Sequence, residues 1–187
     1  FWGYKTAGVF QNQQDINDWI AAGNGVLQSD VQPGDVKYYD IDHNGVINDA
    51  DKVNLGNGMP DFTYGFTLGF DYKGFDFNVT ANGMVGNDIV QAYRNVGTKT
   101  ANYTTEVLSR WTGEGTSNKY PCVTENNINW QFSDLFIHDG SFLRVSNITL
   151  GYDFVKILKT QLFSQARLYF QIQNALTFTK YNGMDPE

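Results

Sequence analysis

The stretch Phe62-Thr63-Tyr64-Gly65-Phe66-Thr67-Leu68-Gly69-Phe70-Asp71-Tyr72 decides the fold class. Its even-numbered positions are aromatic or aliphatic, whereas its odd-numbered positions are Thr, Gly or Asp. A side-chain period of two places successive residues on opposite faces of a β-strand. The stretch is therefore predicted to form one long amphipathic strand.

A second alternating run follows almost at once. Lys73-Gly74 separates the first run from Phe75–Asn82, whose odd-numbered positions are apolar. Two alternating runs on either side of a two-residue turn that contains Gly predict a β-hairpin. Two more strands are predicted at Ser146–Phe154 and Ala166–Asn174, joined by the short link Val155–Gln165.

The rest of the chain has weaker signals. Gly3–Phe10 and Val36–Tyr39 are predicted to be strands, and Gln13–Ala22 has the apolar spacing of a short amphipathic helix. Residues 86–140 show few strand signals, and Thr104–Trp111 within them is helix-like. A loop of that length is unusual inside a compact domain.

Composition excludes several classes of protein. The 187 residues include 13 Lys plus Arg and 20 Asp plus Glu, which gives a net charge of −7 and argues against nucleic-acid binding through a basic surface. An aromatic content of 16% argues against a disordered chain. No apolar run reaches the roughly 18 residues of a transmembrane helix, but transmembrane strands alternate and escape that test.

Two all-β architectures explain the alternation. In a soluble β-sandwich the apolar face is the core, whereas in an outer-membrane barrel it meets lipid and the polar face lines the lumen. Strands of about ten residues, aromatic residues near strand ends, and short turns opposite a long loop favour the barrel. We therefore predict a fragment of a large antiparallel transmembrane β-barrel, with up-and-down strands, long extracellular loops and short periplasmic turns. A soluble, calcium-stabilised β-sandwich that binds carbohydrate is the alternative.

The segment from Asp40 to Asp51 fits a calcium loop of the EF-hand type, because Ca²⁺ requires several oxygen ligands and a sharp turn at Gly45. Asp replaces the usual Glu at the last position, and no helix is predicted before the loop. The alternative is a solvated turn without metal, which Asp and Asn form readily. The ligands predicted for a structural Ca²⁺ are Asp40, Asp42, Asn44, the Val46 carbonyl, Asn48 and Asp51.

Catalytic signatures are missing from the sequence, so we predict that the protein is not an enzyme. Cys122 has no second cysteine with which to pair, and His43 and His138 lack metal-ligand spacing. No phosphate-binding Gly motif or nucleophile elbow is present.

Several motifs in register resemble the C-terminal part of SusC/RagA-type TonB-dependent outer-membrane transporters. The resemblance covers nearly the whole chain. It is carried by Gly3–Phe10, Pro33–Tyr38, Asp40–Asp51, Leu55–Asn57, Pro60–Phe66, Phe70–Asp76, Gly86–Asp88, Ser141–Tyr152 and Gln173–Tyr181.

The resemblance implies a role in the outer membrane of a Gram-negative bacterium. Such transporters are barrels of about 22 strands with an N-terminal plug, a SusD-like surface lipoprotein as partner, and TonB as the source of energy. Residues 1–187 would then be a C-terminal portion of the barrel that lacks the plug and the TonB-contacting part. The remaining partners would be the rest of the barrel, the lipid bilayer and an oligosaccharide or peptide substrate. Substrate-binding residues vary in the family, and none is assigned here.

Two placements follow from this interpretation. Apolar side chains of the hairpin should face lipid and polar ones the lumen: Phe66, Leu68, Phe70, Phe77 and Val79 outward, and Thr67, Gly69, Asn78 and Thr80 inward. Segment 86–140 should be extracellular and help to line a substrate vestibule, or else pack against neighbouring loops. The aromatic residues that suit the vestibule are Tyr93, Tyr103, Trp111, Tyr120 and Trp130.

Overall fold

The computed structural model describes residues 1–91, 102–124, 127–155, 164 and 166–186. Most of the regular structure in these ranges is β. The strands are β1 Trp2–Gly3, β2 Thr6–Val9, β3 Val36–Tyr38, β4 Val53–Asn54, β5 Phe62–Tyr72, β6 Phe75–Val85, β7 Asp88–Val90, β8 Ile137–Asp139, β9 Phe142–Asp153 and β10 Arg167–Thr179.

Helical structure is short in the described ranges. Helix α1 spans Gln13–Ala21, and single 3₁₀ turns cover Asp49–Asp51, Thr105–Ser109, Asn127–Trp130 and Asp134–Phe136. None of the described helices has the length and apolar character needed to cross a membrane.

The chain divides into two compact units. Unit 1 contains Phe1–Gly56 and Val90–Ile137, and unit 2 contains Asn57–Ile89 and His138–Glu187. Unit 2 is built on a four-stranded antiparallel sheet in the order β10-β9-β6-β5. The predicted hairpin is confirmed as β5–β6. Its turn residues, Lys73 and Gly74, have φ angles of 50° and 93°, as a two-residue hairpin turn with positive φ at both positions requires.

The register of the sheet sorts its side chains into two faces, because directly paired residues lie on the same side. Apolar rows run across all four strands, for example Phe70–Phe77–Leu150–Phe170 and Leu68–Val79–Ile148–Ile172. The rows between them are polar, for example Gly69–Asn78–Thr149–Gln171 and Thr67–Thr80–Asn147–Gln173. The predicted separation of apolar from polar residues is therefore confirmed.

The apolar face is exposed in this chain. Leu68 is 64% exposed and Phe70 is 62% exposed, and no second sheet covers these rows in the described residues. A β-sandwich would bury them in its core, so the sandwich alternative is not supported. A sheet with large apolar residues left open on one face needs an apolar environment on that side, as a transmembrane barrel has.

A β-bulge interrupts the alternation in the middle of the sheet. Relative to β6, Ser146 is one extra residue in β9, and opposite it β10 has two residues, Ala175 and Asn174, the latter with a φ of 50°. In β9 the apolar positions therefore change from odd numbers before Ser146 to even numbers after it. The bulge keeps Val145 and Ile148 on the same face, and so extends the apolar rows beyond the strand ends predicted at Ser146 and Asn174.

Unit 1 has little regular structure and a small core. Its ladders, β1–β4 and β2–β3, are short, and its buried cluster consists of Tyr4, Val36, Tyr38 and Ile47. Helix α1 begins after Asn12, whose side chain accepts a hydrogen bond from the Asp15 backbone N–H. Its residue Ile16 is 2% exposed.

Some predicted boundaries were wrong. The strand predicted at Gly3–Phe10 is divided into β1 and β2, with Tyr4 between them in an isolated bridge to Ser133. The helix-like segment Thr104–Trp111 is a 3₁₀ turn at Thr105–Ser109, and residues 86–140 include strands β7 and β8. Most of the predicted link Val155–Gln165 and the aromatic residue Tyr93 lie outside the described residues.

Candidate functional site

The predicted calcium loop brings three carboxylates together. Oxygens of Asp40, Asp42 and Asp51 lie within 4.8 Å of one another, although Asp51 follows Asp40 by eleven positions. The loop leaves β3 in extended conformation and turns at Gly45, whose φ is 82°. A 3₁₀ turn at Asp49–Asp51 then directs the last carboxylate back toward the first.

Two of these carboxylates are buried. Asp40 is 3% exposed and Asp51 is not exposed at all. Backbone N–H groups stabilise their charges: Gly45 donates to Asp40 at 2.7 Å, and Ile41 donates to Asp51 at 2.8 Å. Burial alone would raise the pKa of Asp40, but the hydrogen bonds from the Gly45 and Asn44 backbone outweigh it and lower the pKa. Asp40 is therefore held as a carboxylate, and backbone hydrogen bonds fix the positions of both buried side chains.

The other predicted ligands take part in the turn itself. Asn44 Oδ1 accepts a hydrogen bond from the Val46 backbone N–H at 2.8 Å. Asn48 Nδ2 donates to the Val46 carbonyl at 3.2 Å, and Asn48 Oδ1 accepts from the Ala50 backbone N–H. Each of these oxygens retains a second lone pair, and all of them are hard donors that suit Ca²⁺.

Ile47, which lies between the predicted ligands Val46 and Asn48, anchors the loop to the core of unit 1. Ile47 is 4% exposed and packs in the cluster with Tyr4, Val36 and Tyr38. An apolar side chain therefore packs beneath the loop and links it to the core. His43 is exposed at a positive φ of 57°, consistent with a position that contributes no ligand.

A second candidate site in unit 1 is a pocket of about 270 Å³. It is lined by some of the residues in four separate segments, namely Val90–Gln91, Tyr103–Arg110, Tyr120–Val123 and Asn129–Phe136. Three of the aromatic residues predicted for a vestibule, Tyr103, Tyr120 and Trp130, line it together. Trp111 is not among its lining residues.

A carboxylate and a guanidinium lie in the mainly apolar wall of the pocket. Glu106 accepts hydrogen bonds from Gln91 Nε2 at 3.2 Å, from Thr104 Oγ1 at 3.3 Å and from Tyr120 Oη at 3.3 Å. Arg110 Nη1 donates to the Val107 carbonyl at 3.1 Å. The sequence analysis missed both residues, because a lone Glu and Arg in a long loop give no signal until the chain folds.

The base of the pocket is held by a buried amide. Asn129 is 2% exposed, accepts a hydrogen bond from the Val36 backbone N–H at 2.9 Å and donates to Asp35 at 3.0 Å. The Cys122 thiol lies 3.9 Å from Asp35 and lines the same pocket. Burial and the charge of Asp35 raise the pKa of this thiol. The residue is thus a poorly reactive thiol held against a carboxylate.

The chain is similar to curated TonB-dependent receptors, although no protein-family model matches it. It is 35% identical over 192 residues to a TonB-dependent receptor of Formosa agariphila, covering 100% of this chain and 18% of the relative. It is 32% identical over 164 residues to the TonB-dependent receptor SusC of Bacteroides thetaiotaomicron, covering 87% of this chain and 16% of the relative. The chain thus spans a small part of the length of each relative.

Solved structures of RagAB also match this chain over its whole length. The RagAB peptide importer in its open-open state superposes with a TM-score of 0.69 at 23% identity, covering 100% of this chain and 19% of that chain. A second RagAB structure gives 0.68 at 24% identity. At these identities the likeness concerns the fold alone. The chain belongs to the SusC/RagA-type TonB-dependent receptors, and its sheet is a fragment of their barrel in the outer membrane of Gram-negative bacteria.

Proposed function

We propose that the receptor containing this chain imports oligosaccharides or peptides across the outer membrane. In this proposal a SusD-like surface lipoprotein delivers the substrate, and TonB supplies energy through a part of the receptor outside this chain. The observation that carries the proposal is the similarity to two TonB-dependent receptors along the chain. The two-faced sheet supports it, because a polar face lining a lumen is what a passage for hydrophilic substrates requires.

Transport also suits the chemistry of the chain better than catalysis. The matched relatives are named as receptors, and SusC is one of them. The matched RagAB structures are described as a peptide importer and a peptide transporter. These names support a hydrophilic oligomer as substrate and leave both substrate classes in the proposal.

Uptake by living cells tests the proposal. A strain that lacks the full-length receptor gene should fail to take up the oligosaccharide or peptide that the parent strain uses, and the intact gene should restore uptake. Collapse of the proton gradient should stop uptake in the parent strain, because TonB draws on that gradient. Uptake at the parental rate without the receptor, for every oligosaccharide and peptide that the parent imports, would contradict the proposal.

The Asp40–Asp51 loop is proposed to hold one structural Ca²⁺. The three carboxylates within 4.8 Å and the nearby amide and carbonyl oxygens supply the hard donors that this ion prefers. Two of the carboxylates are buried in unit 1, where mutual repulsion is costly unless a cation offsets it. Ca²⁺ would fix the turn and hence the position of Ile47 in the core.

Two exposed aspartates of this loop allow a matched test. Asp42 belongs to the cluster, whereas Asp49 lies outside it and pairs with Lys52 at 2.8 Å. In the purified full-length receptor, Asp42→Asn should weaken Ca²⁺ binding about tenfold or more, since affinity follows the charge of the ligand set. Asp49→Asn should leave it unchanged. Calorimetry and protease resistance of the loop with and without Ca²⁺ are the measurements, and equal effects of the two variants would contradict the site.

A further inference from the structure

We infer that the pocket of unit 1 binds a large apolar or aromatic side chain of a peptide, with the adjoining peptide unit held by Glu106 and Arg110. This inference rests on the proposed import function and narrows its substrate class to peptides. It uses only residues between Val90 and Phe136, all of which belong to unit 1.

The volume and lining of the pocket indicate which kind of ligand group enters it. Most of the wall is apolar or aromatic, with Val107, Trp130, Phe132, Leu135 and Phe136 among its residues. Its volume of about 270 Å³ lies just below the range of about 300–1,000 Å³ typical of sites for drug-sized ligands. The cavity therefore suits one large side chain rather than a chain of several sugar units.

The polar groups of Glu106 and Arg110 indicate which chemical group of the ligand lies next to that side chain. Glu106 is half-buried, and its three hydrogen-bond donors, Gln91, Thr104 and Tyr120, are all neutral. Arg110 follows Glu106 by four residues, directly after the 3₁₀ turn, and uses one N–H on the Val107 carbonyl. A carboxylate accepts and a guanidinium only donates. A peptide unit, with one N–H and one carbonyl, complements this pair.

A sugar fits the same wall poorly. Its ring carries hydroxyl groups on most carbons, and each hydroxyl that enters an apolar pocket without a partner is penalised. The neutral polar side chains Asn129, Gln91 and Tyr120 are already engaged, with Asp35, the Val36 backbone and Glu106. Glu106 and Arg110 remain for the ligand, which suffices for one peptide unit and not for the several hydroxyl groups of a sugar ring. A phenylalanine or leucine side chain brings no such groups and buries its surface against the aromatic walls.

Cys122 provides a reporter inside the pocket. Its thiol is partly exposed, and its raised pKa makes alkylation slow but measurable at mildly alkaline pH. The purified full-length receptor is treated with iodoacetamide, and modification of Cys122 is followed by mass spectrometry of its peptide. The probes are acetyl-Ala-Phe-Ala-amide, acetyl-Ala-Ser-Ala-amide and the trisaccharide maltotriose.

The phenylalanine peptide should slow alkylation about tenfold when it is present at about ten times its dissociation constant. The serine peptide and the trisaccharide should have little effect. Val107→Trp should fill the pocket and abolish protection by the phenylalanine peptide. Leu108→Trp is the matched control, because Leu108 is 78% exposed and does not line the pocket. It should retain full protection.

Several results would overturn the inference. These are equal protection by the trisaccharide, protection that survives Val107→Trp, and a Cys122 that is alkylated equally fast with and without peptide. If Cys122 stays unmodified without any ligand, calorimetric titration of the receptor with the phenylalanine peptide replaces alkylation as the readout, and the absence of binding heat would overturn the inference. Uptake by cells is measured separately with both variants. Normal uptake without pocket binding refutes the pocket alone, whereas the proposed function fails only if the receptor imports nothing.

Discussion

The two units of this chain differ in how they pair their backbone groups and in whether they bury their apolar side chains. The sheet of unit 2 pairs its backbone strand to strand and leaves its apolar rows open, with Leu68 64% exposed. Unit 1 encloses its own apolar cluster and ties distant backbone segments together with side chains. Asn129, for example, accepts from Val36 across 93 positions, and Asp134 accepts from Thr6 across 128.

This difference indicates what each unit requires from its surroundings. An exposed apolar face on a hydrogen-bonded sheet is stable where the neighbouring medium is apolar, as lipid is. A small core held by side-chain-to-backbone hydrogen bonds is suited to water, which can satisfy the polar groups left on the outside. Mutations should therefore affect the two units by different mechanisms, and the following experiments test this in the full-length receptor.

The largest effect is expected for Leu68→Lys. A lysine on the lipid face near the bilayer midplane should destabilise the barrel by about 2–4 kcal/mol. Thr67→Lys is the control, because the neighbouring residue lies on the polar face and its lysine would point to the lumen. Heat-induced mobility shifts of the barrel on gels give the stability. Equal losses for both variants would show that the faces are assigned wrongly.

The second-largest loss of barrel stability is expected for a substitution at Gly83, a glycine on the apolar face. A Cβ at Gly83 would collide with the Phe142 carbonyl and with the ring of Tyr64, which covers this glycine. Gly83→Ala should therefore cost about 1–3 kcal/mol through overpacking. Gly65→Ala serves as control, since its Cβ would meet nothing closer than 3.6 Å. The same gel assay applies, and a silent Gly83→Ala would contradict the close approach of the Phe142 backbone to Gly83.

Unit 1 should respond to the loss of its buried amide. Asn129→Ala leaves the Val36 N–H and the Asp35 carboxylate without their partner, at a cost of about 1–3 kcal/mol. Protease should then cut unit 1 faster while the barrel keeps its heat resistance. Asn17→Ala, at an exposed position of α1, should change neither property. Loss of barrel stability in Asn129→Ala would remove the contrast between the units.

The smallest effect concerns an ion pair at α1. Asp15 binds Lys37 at 2.6 Å, and Lys37 also lies over the rings of Phe10 and Trp19. Burial alone would raise the pKa of Asp15, but hydrogen bonds from Lys37 and from the Gln11 backbone outweigh it and hold the pKa below its ordinary 3.8. The partly exposed pair should contribute about 1 kcal/mol at most.

The direction of its pH dependence follows from that lowered pKa. The stabilisation is present above pH 3.8 and is lost as the pH falls through the lower pKa of the folded protein. Asp15→Asn should therefore lower the protease resistance of unit 1 slightly at neutral pH, change it little below the lowered pKa, and so flatten the acid limb of the pH profile. Asp18→Asn, also on α1 but without the lysine, should retain that limb. An unchanged acid limb in Asp15→Asn would exclude a role for the pair.

Much of the fold was predictable because apolar and polar residues alternate with a period of two along the strands of the sheet. The hairpin β5–β6 was placed correctly, since every side chain in an alternating strand reports its face independently of the rest of the chain. The calcium loop was located for the same reason, because its spacing is local. The geometry brings three of its predicted ligands, Asp40, Asp42 and Asp51, within reach of one ion, and the presence of that ion stays a prediction.

The sequence by itself determined the two faces of the sheet, the hairpin turn and the position of the acidic loop. Tertiary structure decided the rest. At Ser146 the apolar period changes phase, and only pairing with β6 and β10 shows that the strand continues through the bulge. The pocket joins Val90 to Phe136, and Asn129 joins Asp35, through contacts that span tens of residues. No local sequence period predicts such contacts. They form only because the packing of the whole unit outweighs the entropic cost of closing its loops.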